Sequence, residues 1–210
     1  MKNKRPSVKQ RTKVCIICEG NEEYAYIKKL CSLKLFAKDY DIDYYNAKSI
    51  SKIFAVYQSK VQEDNFHIVV IFCDTDSYPY EQYKKLKDDI KNYYGITSNK
   101  NLPEIIFFGN PCTMQIILSH FDVVKLKSHL KSDNAPTIER LTRVKDYEAT
   151  EHQIESIMKK IDKDNVEIMK INVGNLSKKD NVKPSSNFIM LINNLTTYSN
   201  TWIELINSKL

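Results

Sequence analysis

The stretch Val69-Val70-Ile71-Phe72-Cys73-Asp74-Thr75-Asp76-Ser77 constrains the fold of this chain more than any other. Its apolar half reads as a strand covered on both faces, because such strands run as unbroken Val, Ile and Phe. The run then stops at two carboxylates. Residues two apart on a strand point to the same side. Asp74 and Asp76 are therefore expected to converge just beyond the strand's carboxyl end, where open parallel sheets bind ligands. Two converging carboxylates suit a hard cation such as Mg2+. Helix-capping or turn aspartates, common after strands, are the other reading of the same pair.

The flanking chain alternates strands and helices. Val14-Cys15-Ile16-Ile17-Cys18 is a second apolar run, closed by Glu19-Gly20. A helix is expected over about 22–36, with Ile27, Leu30, Cys31 and Lys34 along one side, and 41–45 reads as a strand. Ile50, Ile53, Phe54, Tyr57 and Val61 stand at helical spacing. Tyr80, Tyr83, Leu86, Ile90 and Tyr93 or Tyr94 mark another helix, ended by Gly95. A strand over 104–108 is cut off by Gly109-Asn110-Pro111. Asn110 as N-cap, with Pro111 in the first helical position, predicts a helix over 112–121. The pattern predicts an α/β fold with a mainly parallel sheet flanked by helices.

Beyond Asp122, helices are expected over 123–131, 137–144 and 147–161, with a loop at 132–136. Residues 166–171 read equally as strand or helix. Residues 172–184 read as an exposed loop, and Ser185 or Ser186 as the cap of a final helix pair. The chain thus divides into a basic arm (1–13), an α/β core (14–122) and a mainly helical C-terminal extension packed on that core (123–210).

Charge and composition narrow the setting. The formal charge is +6, and Lys2, Lys4, Arg5, Lys9, Arg11 and Lys13 crowd the first thirteen residues. Such an arm either lies along a phosphate backbone or is a solvated terminus. No apolar run approaches the ~20 residues of a membrane span, and the N-terminus lacks the apolar core of a signal peptide. A cytoplasmic protein without membrane attachment is expected. Five cysteines, several within apolar runs, read as reduced thiols, and Cys15 and Cys18 as core residues rather than zinc ligands. Thirteen tyrosines interleaved with lysines read either as core-edge residues or as a stacking surface for single-stranded nucleic acid. Lys125, Lys127, Lys131, Arg140, Arg143 and Lys145 read either as a nucleic-acid path or as a solvated face.

If the strands ending at Glu19 and Asp74 are neighbours in a parallel sheet, three carboxylates share one rim: Glu19, Asp74 and Asp76. Gly20 would let the backbone turn sharply there. Converging carboxylates repel one another and raise the pKa of one unless a cation neutralises them, which is a reason to expect a divalent metal. Glu22 and Glu23 open the following helix, where acids favour the dipole. Glu23 is also within reach of the rim.

A strand ending in Glu-Gly followed by one ending in Asp-x-Asp resembles the Toprim domain of topoisomerases, primases and OLD-type nucleases. Within that class, Cys18-Glu19-Gly20-Asn21-Glu22-Glu23-Tyr24-Ala25-Tyr26 is similar to the CEGxTExxY opening of RloB-like proteins, and Phe72-Cys73-Asp74-Thr75-Asp76 to their D-x-D strand. Asn110-Pro111-Cys112 and His120-Phe121 resemble the ends of their NPCFExWxxxHF segment. Pro184-Ser185-Ser186-Asn187 resembles their PSTN-type helix start. The resemblance implies a Toprim-like, Rossmann-like core and an Mg2+-dependent nuclease, with Mn2+ able to substitute, used in bacterial antiphage defence. It further implies a nucleic-acid substrate, DNA or RNA (tRNA included), and a partner ATPase of AAA or ABC type that holds or releases the nuclease. A homodimer is a further expectation.

Carried over by position, Glu19 is general acid/base or metal ligand, Asp74 and Asp76 are metal ligands, and Glu23 is an auxiliary acid. His120 and Asn110 are weaker candidates, because a buried histidine is more often a hydrogen-bonded core residue and Asn110 suits a helix cap. The chain departs from the pattern at Glu22, where the family has Thr, and at Thr113-Met114, where it has Phe-Glu. Loss of that glutamate leaves a second reading open: a regulatory subunit that binds metal or nucleotide without turnover.

Overall fold

A computed structural model describes residues 11–75, 79–97 and 99–210. The arm up to residue 10 and Asp76 lie outside the described residues. In the first half, strands and helices alternate: β1 (Thr12–Cys18), α1 (Asn21–Ser32), β2 (Tyr40–Asn46), α2 (Ile50–Gln62), β3 (Ile68–Asp74), α3 (Pro79–Tyr93) and β4 (Ile106–Asn110). The four strands are parallel, in the order β2-β1-β3-β4. β3 lies between β1 and β4, which is why its sequence is apolar throughout; Ile68 to Cys73 are all buried.

From β1 the chain passes outward to β2, then returns across β1 to β3. The strand order therefore reverses between β1 and β3. Right-handed crossovers in opposite directions put α1 on one face of the sheet and α2 on the other, where α2 packs against α3. α2 buries Ile50, Ile53 and Tyr57, as its spacing predicts. Gly95, in left-handed conformation (φ +65°), closes the turn after α3.

The second half is α4 (Met114–Leu118), α5 (Lys131–Thr142), α6 (Glu151–Met158), α7 (Lys163–Gly174), β5 (Ser185–Ser186), α8 (Phe188–Thr196) and α9 (Thr201–Asn207). It joins the first through an aromatic cluster: Phe188 of α8 lies 4.6 Å from Phe72 of β3 and 5.5 Å from Tyr26 of α1, centroid to centroid. Offset and tilted ring pairs of this kind add to simple area burial. All three rings are fully buried.

Several expectations are corrected. β1 begins at Thr12, so Thr12 and Lys13 belong to the sheet rather than to the arm. Asn110 does not cap a helix. It ends β4, buried, before a cis peptide bond to Pro111, and its Nδ2 donates to the carbonyls of Asp180 and Val182 at 2.8 Å each. The expected helix over 112–121 is the short α4, with Thr113 at its N-cap. Residues 123–130 form no helix. Val124 and Leu126 are buried while Val123, Lys125 and Lys127 are exposed, a period-two pattern. The buried Gln115 amide holds this stretch by donating to Val124 O and accepting from Leu126 N.

The stretch 132–136 is helical, with Pro136 inside α5. Residues 166–171 lie within α7, whose Asp162 N-cap accepts from Asn165 N. Ser185 and Ser186 form the fifth strand, antiparallel to β4, within the mainly helical C-terminal half. Asn187 extends that strand with its side chain: Oδ1 accepts from Phe108 N at 2.8 Å and Nδ2 donates to Ile106 O at 2.9 Å. Among the described residues, no helix is long and apolar enough to cross a membrane.

Candidate functional site

The rim between β1 and β3 gathers the acids. Parallel pairing sets Cys18 beside Phe72, so β1 ends two residues short of β3 and Glu19, which follows it, lies beside the last residues of β3. Glu19 Oε2 accepts the backbone N–H of Asp74 at 2.9 Å. Glu23, one turn into α1, folds back and accepts the Gly20 N–H at 2.9 Å; it is only 4% exposed. Gly20 itself is extended, with φ −142°, a conformation open to any residue. Its value lies in space, since a Cβ there would sit 3.3 Å from Glu23 Oε2.

Thr113 completes the cluster. Its backbone N–H and its hydroxyl both donate to Asp74 Oδ1, each at 2.7 Å, and the hydroxyl also lies against Glu23. Gly109, paired with Asp74 across the sheet, makes this approach feasible. A Cβ on Gly109 would lie 2.8 Å from Cys112 O and 2.9 Å from Thr113 N. Sequence spacing does not reveal Thr113, but an isolated glycine at a strand end is a signal for close backbone approach. Tyr147, which donates to Glu22 Oε1 at 2.6 Å, had no signal in the sequence.

Electrostatics at the rim are unbalanced. Burial, then the charges of Glu23 and Glu19, pushes the Asp74 carboxyl well above its usual range, against the hydrogen bond from Thr113. Burial, then Glu22, raises Glu23 to about 7, against hydrogen bonds from Thr113 and Gly20. Burial also raises Glu22, offset by Tyr147 and Lys131. An all-oxygen donor set whose members repel one another matches the chemistry of a hard divalent cation. The set is incomplete, however. Among the described residues no three His, Cys, Asp or Glu side chains are arranged as a ready metal cage, and Asp76 is not among them.

The remaining candidates lie apart from this cluster in their contacts. His120 is fully buried; its Nε2 meets Tyr26 Oη at 2.8 Å, and its Nδ1 meets Asn165 O and Oδ1 at 3.1 and 3.0 Å. Burial lowers its pKa to about 4, so the ring is a neutral tie between α1 and α7. Asn110 anchors the 180–182 loop, as above. Cys15 and Cys18 are buried core thiols. Beside β3 and β4 a cavity of about 220 Å³ is lined by Thr75, Tyr80, Asn110, Asp180, Asn181 and Lys183. Thr75 Oγ1 and Asn110 Oδ1 are buried there with no hydrogen-bond partner among the described residues.

Compared with known proteins, the chain matches no family model, and no curated protein or solved structure is significantly similar to it.

Proposed function

We propose that the chain is a divalent-metal-dependent nuclease of the RloB-like Toprim type, acting on the phosphodiester backbone of RNA or DNA. The observation that carries this reading is the convergence of Glu19, Glu23 and Asp74 where the strand order reverses, the place at which open α/β sheets bind ligands. It is supported by the way stretches carrying the resemblance meet in space: Tyr26 with His120, Asp74 with Thr113, and Asn110 with Ser185.

In this reading Glu19, Asp74 and Asp76 would hold Mg2+ or Mn2+. Bound there, the cation would supply positive charge against that developing on the phosphoryl oxygens. Thr113 fixes the Asp74 carboxylate through two donors, so the ligand keeps one orientation. Glu23, with a pKa raised to about 7, is matched to proton transfer at neutral pH. It takes a proton from the attacking water or returns one to the leaving oxygen. A partner ATPase that restrains the nuclease belongs to the same proposal.

Incubation with total RNA, tRNA and plasmid DNA in Mg2+ tests the reading. Cleavage by wild type and its loss in Asp74→Ala are expected; cleavage undiminished by that substitution would overturn it. The second reading, a binding subunit without turnover, draws on the double engagement of Asp74 Oδ1 by Thr113 and on Met114, buried where the family carries glutamate. It predicts metal binding with no cleavage under any of these conditions.

A further inference from the structure

A cavity of about 910 Å³ lies between α1, the edge strand β2 and α6. Its head is Asn21, two residues from Glu19, held by a 2.8 Å hydrogen bond from Asn46 Nδ2 at the end of β2. The cavity's head thus lies at the carboxyl end of β2, where Asn46 pairs with Cys18, the residue before Glu19, and the cavity runs along the edge of the sheet. Two aromatic rings stand in it: Tyr24 of α1 and Tyr44 of β2, both half-buried, with centroids 5.3 Å apart and planes inclined by 60°. Tyr45 is less available, since Lys60 Nζ already sits 4.1 Å over its ring.

The lining is cationic on balance. Lys28, Lys29, Lys48 and Lys159 face Glu151 and Glu155, and Lys28, Lys48 and Lys159 are exposed. Ammonium groups around accessible parts of tyrosine rings are the combination by which proteins hold single strands: the lysines track phosphates and the rings accept bases without regard to sequence. A duplex keeps its base faces stacked inside and would use only the charges.

We propose that this groove holds a single-stranded stretch of polynucleotide, with bases on Tyr24 and Tyr44 and phosphates on Lys28, Lys48 and Lys159, and leads it to the Glu19–Asp74 rim. The inference rests on the nuclease reading for its substrate class, and it adds strandedness and path.

The test is fluorescence anisotropy of short labelled oligo-dT and oligo-U on the full chain in EDTA and low salt, with a duplex of equal length alongside. Three variants are compared with wild type. Tyr24→Ala/Tyr44→Ala removes the stacking faces, and Lys28→Glu/Lys48→Glu/Lys159→Glu reverses the charges. Lys125→Glu/Lys127→Glu/Lys145→Glu makes the same charge change on exposed lysines outside the groove. Single strands are expected to bind wild type and to lose about tenfold or more in both groove variants, with far smaller loss in the control triple. The salt dependence should fall by about 2 in log–log slope in the groove triple. Charge reversal of exposed lysines leaves the core intact, so that arm reports even if the tyrosine variant fails to fold.

Equal losses in the two lysine triples, equal affinity for duplex, or no single-strand binding by wild type would each overturn the groove. Asp74-dependent cleavage that persists unchanged in the groove variants would overturn the groove and leave the nuclease standing. Groove-dependent binding without any Asp74-dependent cleavage would keep the groove and remove the nuclease.

Discussion

Thr113 gives both its backbone N–H and its hydroxyl to one oxygen of Asp74, each at 2.7 Å. Two donors on one carboxylate oxygen fix its plane and favour its charged form, against burial and the neighbouring acids Glu23, Glu19 and Glu22. Partners that orient a metal-ligating carboxylate typically matter to metal affinity by 10–100-fold when lost. Thr113→Val keeps the shape and the backbone donor but removes the hydroxyl. It is expected to weaken Mg2+ or Mn2+ binding by about tenfold in titration calorimetry, while Asp74→Asn abolishes it. Unchanged metal affinity in Thr113→Val would separate Thr113 from the site.

Gly109 sets that contact at a distance of one strand. Any Cβ there would press on the Cys112 carbonyl and the Thr113 nitrogen, which are backbone atoms with little freedom to yield. Gly109→Ala should push the 112–113 segment off the rim and cost about 1–3 kcal/mol, the range for overpacking a tight site. Chemical denaturation measures the loss. Metal affinity should fall with it, whereas Gly174→Ala, with open space around it, should leave affinity as in wild type.

Much of this arrangement was legible in the sequence, and the exceptions have physical causes. β1, β3 and the helices that follow them are legible from apolar runs and helical periodicity, β2 less so because acids interrupt it, and Glu19 and Asp74 are legible because each closes an apolar strand. In the region after Asp122 a tertiary partner overrides local pattern. Val124 to Lys127 alternates buried and exposed, a strand-like period held by the Gln115 amide, yet its lysines suit a helix equally well. Pro136 suggested a break, and α5 accommodates it. Thr113 and Tyr147 reach the acids only through the fold, from positions 39 and 125 residues away from their partners, which no local spacing encodes.

Glu23 gives the pH dependence a sign. Its pKa rises from 4.5 unfolded to about 7 folded, chiefly through burial and then through Glu22, so the folded chain keeps a proton that the unfolded chain releases. That contribution to stability is complete below pH 4.5 and is lost as pH climbs through about 7. The loss is on the order of 3 kcal/mol. Glu23→Gln holds the shape without the charge. In EDTA, its melting temperature should rise relative to wild type between pH 5 and pH 8. Mg2+ should reverse the wild-type decline at pH 8, because the cation favours the ionised acids. A constant difference between variant and wild type across that range would show that Glu23 titrates normally.

Asn187 is where the C-terminal half is sewn to the sheet. Its amide occupies Phe108 N–H and Ile106 C=O as a strand neighbour would, and it immediately precedes Phe188, which packs on Phe72 and Tyr26. Removing the amide leaves two buried backbone groups without partners. Each such group costs about 1–3 kcal/mol. Asn187→Ala should therefore destabilise the chain by several times that of an exposed substitution such as Asn207→Ala. Asn187→Asp should be worse than Asn187→Gln above neutral pH, because a carboxylate would face the Ile106 carbonyl that the amide now serves. Urea denaturation of the three variants at pH 8 measures the order. If Asn187→Ala is as stable as wild type, β4 gains nothing from this residue, and α8 is held by its apolar face alone.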